Sequence, residues 1–193
     1  MTEQEQRAAV IAEARTWLRT PFFHGARLKA VGADCETFIC EVFSAAGVFT
    51  AQGIPYVPSQ WFLNTKEELY LKYLSTYAAE YQVVGSWPLV VGQAGATPSG
   101  QRPGPVPSAA EGTNGQRLPL SGDLICVKHR WVYSHGAIVV AWPRVIHCFP
   151  PCVMESNVFY NPVFTHRELK YFDPWKKSLF TAEGAKDAEE IKK

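Results

Sequence analysis

Between Gly122 and Phe149 the chain carries three short runs, "DLICVKH", "WVYSHGAIVVAW" and "RVIHCF", rich in β-branched residues and bounded by turn signals. Such runs predict consecutive antiparallel strands. The first half of the chain has a different grammar. Phe38, Ile39, Val42, Phe43 and Ala46 recur at the 3.6-residue period of a helix that begins at Cys35, and Gly47 suits the position just past its end. Thr2 with Glu5 forms a capping-box pattern ahead of Val10, Ile11, Ala14, Trp17 and Leu18, which predicts a first helix stopped by Pro21. Thr65 with Glu68 repeats that pattern and predicts a helix through "KEELYLKYLSTYAAEY", with Tyr70, Tyr73, Leu74 and Tyr77 on one face. Residues 21–34 have no regular period and read as a loop. Helices first and strands afterward specify an α+β class rather than alternating βαβ units.

A chain of 193 residues is one domain's worth. The expected organisation is a single domain over residues 1–181, with a flexible Gly/Pro-rich insertion at about 92–119 and a charged, frayed tail at 182–193. The later stretches "NVFYNPVF" and "ELKYFDPW" are expected to add edge strands or wrap the outside. With 19 basic and 18 acidic residues the formal charge is +1, which leaves no electrostatic footprint for nucleic acid. No run of 18 apolar residues exists, so no helical membrane span is expected. The first twenty residues lack the pattern of a secretory signal, so the five cysteines are expected as reduced thiols of a chain made in a cytoplasm.

Cys35 follows Asp34 at the start of the second helix. A thiol there faces unpaired backbone N–H groups and the positive end of the helix dipole, which favours the thiolate and predicts a lowered pKa. The same N–H groups can receive the oxygen of an attacked carbonyl. A small buried cysteine fits the position equally well on this evidence alone. A nucleophile needs a base, and the base needs an orienting partner. His135 opens "HGAIVV" and His147 lies in "RVIHCF", separated by the turn "AWPR", a spacing that sets two imidazoles side by side on neighbouring strands. Each histidine alone reads as an ordinary strand residue; with Cys35 they form a set.

The segments "TPFFHGARLKAVGADCETFICEVFSAAGV", "SGDLICV" and "SHGAIVVAWPRVIHCF" resemble the NlpC/P60 family of papain-like cysteine peptidases, and within it the members of phage and prophage tail modules. The resemblance covers residues of roughly 8 to 150. It implies a papain-like fold in which the nucleophile helix packs on an antiparallel sheet. It also implies hydrolysis of amide bonds in the peptidoglycan stem peptide, with Cys35 as nucleophile, His135 as general base and acid, and His147 as orienting residue. No metal or organic cofactor is expected. Other phage tail proteins and the virion are the implied partners and location.

The chain departs from the family in two places. Phe22 stands where the family commonly carries a tyrosine thought to help at the oxyanion; losing such a donor typically costs about 100- to 1000-fold in rate. Glu36 follows the nucleophile where small residues are common, and a carboxylate there opposes ionisation of the thiol. His24, Asp34 and Ser134 complete the expected neighbourhood of the site. Cys40 and Cys126 read as core residues, Cys148 and Cys152 lack the paired spacing of a zinc site, and His129 and His166 read as surface or loop residues. Two other classes remain open: a tail component that kept the fold and works by binding, and a papain-like amidase or acyltransferase acting on another substrate.

Overall fold

The computed structural model describes residues 1–50, 58, 60–83 and 116–176. The chain begins with α1 (Glu3–Thr16), whose capping box pairs Thr2 with Glu5 as expected. Trp17 ends the helix and is buried, whereas Leu18 falls beyond it and is exposed. Residues 21–34, expected as a loop, contain a small hairpin of β1 (Arg27–Leu28) and β2 (Gly32–Ala33). Then comes α2 (Cys35–Ala45), which Gly47 follows in the left-handed conformation at φ +68. A short 3-10 turn at Trp61–Leu63 precedes α3 (Leu69–Tyr77). This helix starts later than its capping-box pattern suggests. Thr65 Oγ1 accepts from the N–H of Glu67, and the Glu68 carboxylate accepts from the N–H of Tyr133 instead of turning back on its own helix.

The strands follow as β3 (Ala79–Tyr81), β4 (Leu124–His129), β5 (Val132–Ala141), β6 (Arg144–Phe149), β7 (Cys152–Asn157) and β8 (Leu169–Asp173). They form one six-stranded antiparallel sheet in the order β3-β8-β4-β5-β6-β7. One expectation is corrected here. "ELKYFDPW" does not sit at an edge, because β8 lies between β3 and β4. "NVFYNPVF" takes the second of its two expected places: it makes no strand past Asn157, and Val158 and Phe164 fold over the sheet and are buried, beside the edge strand formed by the preceding "CVMESN". Most of the expected insertion and the whole tail at 182–193 lie outside the described residues.

The sheet separates two apolar layers. On one face Phe38, Ile39, Val42 and Phe43 of α2, with Leu74 of α3, pack on Leu124, Cys126, Ile138 and Ile146. On the other, Ile125, Val127, Ala137, Val139 and Val145 are covered by Val158 and Phe164. Burying each such side chain stabilises the fold by about 1.5–3 kcal/mol relative to exposure. Cys40 and Cys126 belong to the first layer, as expected of core residues.

A buried charge cluster fixes the ends of this assembly. Asp123, fully buried, accepts from Arg7 at 2.9 Å and from Tyr81 at 2.6 Å, and it also pairs with Arg117. Asp173 accepts from Nη2 of both arginines, at 3.2 Å from Arg7 and 2.7 Å from Arg117. Two guanidinium groups thus meet two carboxylates, which is the condition under which buried charges are tolerated. Through Asp123 the cluster anchors the turn that feeds β4, and β4 supports β5, the strand that carries His135.

Candidate active site

Asp34 caps α2 and thereby sets the position of Cys35. Its Oδ1 accepts from the Thr37 N–H at 2.9 Å, and Thr37 Oγ1 accepts from the Asp34 N–H at 3.0 Å while donating to the Ala26 carbonyl at 2.6 Å. Oδ2 of Asp34 accepts from the Gly25 N–H at 2.7 Å and faces His24 Nδ1 at 3.4 Å. Asp34, His24 and Thr37 therefore lock the β1–β2 hairpin to the helix start. Thr37, two residues after Cys35, is the reciprocal half of this cap.

Opposite the helix start, β4 and β5 lose register between Val127 and Lys128, so that Val127 pairs with His135 and Lys128 with Tyr133. Ser134 is the extra residue of this bulge, and bulges commonly re-aim side chains beside functional sites. Its carbonyl is the acceptor of the Cys35 thiol at 3.9 Å, and its hydroxyl lies 3.3 Å from His129 Nδ1.

Cys35, His135 and Ser134 line one cavity of about 350 Å³ together with Phe22, His24, Asp34, Glu36, Gln60, Trp61, Phe62, Tyr70, His129, Cys148, Phe149 and Pro150. All expected site residues except His147 touch this space. His147 stands behind it, fully buried. Ala137 pairs with His147 across β5 and β6, and the two imidazoles meet with His135 Nε2 2.9 Å from His147 Nδ1. On its other side His147 Nε2 lies 2.9 Å from Ser156 Oγ. Phe164 packs edge-on against His147, ring centroids 4.9 Å apart, and Phe149 against His135, 5.5 Å apart.

The electrostatics differ from the sequence expectation. Burial pushes the Cys35 thiol well above its usual range; Asp34 and Glu36 push the same way, against the pull of the Gly136 N–H. The lowered pKa expected from the helix start is thus overturned: desolvation and two flanking carboxylates favour the protonated thiol. Burial, helped by Asp34, raises Glu36 to about 7. Among the histidines, burial and then His147, His129 and Arg167 hold His135 well below its ordinary value, and burial lowers His147 to about 4. These directions favour a protonated thiol and neutral imidazoles at neutral pH.

His129 is a second correction. Expected at the surface, it ends β4 inside the cavity wall, its ring 5.9 Å from that of His135, and burial lowers it to about 4. The β4–β5 pairing that puts His129 beside the start of β5 was readable in the sequence; the bulge that turns it inward was not. Tyr70 and Ser156 were likewise missed as site residues. Tyr70 counted only as one of a helical stripe, yet its hydroxyl lies 2.0 Å from where a Cβ on Gly136 would stand. Phe22 joins the wall with its N–H bonded to the Pro151 carbonyl at 2.9 Å. Among the described residues no group of three His, Cys, Asp or Glu side chains is arranged to hold a metal, and no helix is long and apolar enough to cross a membrane.

No protein-family model matches the chain, and no curated protein does. Among solved structures it is similar to the NlpC/p60 domain of the peptidoglycan hydrolase SagA, at 16% identity and a TM-score of 0.46, over 85% of this chain and 96% of that one. NlpC1 from Trichomonas vaginalis is similar at 11% identity and a TM-score of 0.49, over 89% of this chain and 45% of that one. A lipoprotein-like NLP/P60 family protein from Staphylococcus aureus is similar at 16% identity and a TM-score of 0.45, over 81% and 37% of the two chains. The chemistry of this chain is therefore read from its own residues.

Proposed function

We propose that the chain is a cysteine peptidase of the NlpC/P60 kind that hydrolyses amide bonds of the peptidoglycan stem peptide, in the setting of a phage tail. The observation that carries this reading is the engagement of His135 Nε2 by His147 Nδ1 at 2.9 Å. It commits one nitrogen of the cavity-lining imidazole to an orienting partner and leaves Nδ1 as the nitrogen able to serve Cys35. The sulfur bonds the Ser134 carbonyl, so on this reading Cys35 must turn from that carbonyl toward His135 to react. Cys35 then attacks the substrate carbonyl as its proton passes to His135, and His135 returns that proton to the leaving amine. Water, deprotonated by His135, releases the acyl group. Purified protein incubated with defined stem peptides, beside a Cys35→Ala control, tests the reading. Cleavage confined to the cysteine form is expected; no cleavage across several cross-link types, or cleavage that survives the alanine, overturns it.

A second reading rests on its own observation. Asp34 and Glu36 both oppose formation of the thiolate, and Phe22 lacks a hydroxyl, which fits a tail component that binds through the same cavity without turnover. A thiol-directed probe at neutral pH separates the two. Preferential labelling of Cys35 supports the peptidase, and uniformly slow labelling of all five cysteines supports the binder.

A further inference from the structure

His147 is fully buried and uses both ring nitrogens, Nδ1 toward His135 and Nε2 toward Ser156. A neutral imidazole carries one N–H, so the protons along this chain of contacts run in one of two directions. Either Ser156 donates to His147, and His147 to His135, or both bonds point the other way.

The surroundings of Ser156 bear on that choice. Met154 stands opposite His147 across β6 and β7, and Ser156 lies two residues further on the same face. Asn161 Oδ1 accepts from the Val163 N–H at 2.9 Å, which turns the amide nitrogen of Asn161 toward Ser156 Oγ, also at 2.9 Å. Ser156 is thus an acceptor for Asn161 and keeps one lone pair for a second donor. The turn that holds Asn161 also delivers Phe164 onto the imidazole pair.

The chemistry selects the direction. When the S–H bond of Cys35 breaks, sulfur keeps the electron pair and the proton forms an N–H bond at His135 Nδ1. His135 is then an imidazolium with N–H groups at both nitrogens. Its Nε2–H faces His147 Nδ1, which can accept only if the proton of His147 sits on Nε2. That proton points at Ser156 Oγ. The other tautomer of His147 sets N–H against N–H at 2.9 Å and opposes the transfer.

We infer that Ser156, held by Asn161, is a positioning residue that fixes His147 as its Nε2–H tautomer and so keeps His135 Nδ1 free to take the Cys35 proton. The inference rests on the thiol chemistry proposed above, but its test does not depend on cleavage. Nitrogen-15 spectra of the full-length protein read which ring nitrogens carry protons. In the wild type His147 is expected bare at Nδ1 and protonated at Nε2, and His135 bare at Nδ1. Ser156→Ala is expected to mix the tautomers of both rings and to slow alkylation of Cys35 at neutral pH roughly tenfold, the scale of one lost hydrogen bond. Ser156→Thr keeps the hydroxyl and is expected to restore both. A proton on His147 Nδ1 in the wild type overturns the inference, and so does a Ser156→Ala spectrum unchanged from wild type. The first outcome needs no variant to fold. Failure to cut stem peptides would sink the peptidase reading and leave this assignment standing.

Discussion

His147 meets His135 ring to ring, Nδ1 to Nε2 at 2.9 Å, with the imidazole planes 80° apart. On the proposed mechanism, a base held this way keeps one nitrogen directed at its target. His147→Ala is expected to lower turnover of a stem peptide less than His135→Ala, because the base itself survives. For His135→Ala the expected loss is about 100- to 10,000-fold, the usual range for a removed acid–base group. Equal losses in steady-state kcat for the two variants would show that His147 does more than orient.

Glu36 lines the cavity with Cys35, and its negative charge makes the thiolate harder to form. Replacing it with glutamine removes that charge and lowers the pKa of Cys35. Alkylation of Cys35 at neutral pH is therefore expected to run faster in Glu36→Gln than in wild type, followed by mass spectrometry of the modified peptide. An unchanged or slower rate would mean that the carboxylate is already protonated or screened when the thiol reacts.

Stability should fall in mild acid. His129 and His147 titrate at about 4 in the folded chain, against an ordinary 6.5, and His135 is also held low. As pH drops from 6.5 toward 4 the unfolded chain takes up protons that the folded chain refuses, so unfolding is favoured. Glu36, raised to about 7 from 4.5, works the other way: between those values the folded chain binds a proton that the unfolded one lacks. Three imidazoles oppose one carboxylate, and the net expectation is a lower urea midpoint at pH 5 than at pH 7. A midpoint that rises over the same interval would show that the histidines are charged in the fold.

Gly136 is the residue over which α2 and α3 close on β5. A Cβ there would lie 2.0 Å from Tyr70 Oη and 2.7 Å from Ile39 Cδ1. Gly136→Ala is expected to destabilise the protein by about 1–3 kcal/mol through overpacking. Pairing it with Tyr70→Phe, which removes the closest atom, should recover part of the loss in denaturant titrations; a fully additive pair would place the strain elsewhere.

The class of fold and the placement of Cys35, His135 and His147 were legible because both rest on local pattern. The period of Phe38, Ile39, Val42 and Phe43 fixes a helix, and the β-branched runs around His135 and His147 fix two neighbouring strands. The spacing of the two histidines across one turn then implies their contact. What was not legible depends on chain returning from a distance. The place of β8 inside the sheet is set by pairing with β3 and β4, and Leu169–Asp173 looks the same at an edge as in the middle. The inward turn of His129 follows from one extra residue at Ser134, and the reach of Glu68 to the Tyr133 N–H belongs to tertiary packing. The electrostatics were misread for the same reason. A helix start is visible in "ADCETF", but the burial that reverses its effect on the thiol comes from residues far along the chain.

Val83 and Arg117 form a bridge, and the Arg117 N–H bonds the Gln82 carbonyl at 3.2 Å, so positions 83 and 117 stand side by side. Arg117 is tied by its side chain to Asp123 and Asp173. That closing point is therefore held by side chains of the domain itself. Because the entropy of joining two fixed points grows only with the logarithm of the number of residues between them, a change in chain length between 83 and 117 is expected to cost the domain little.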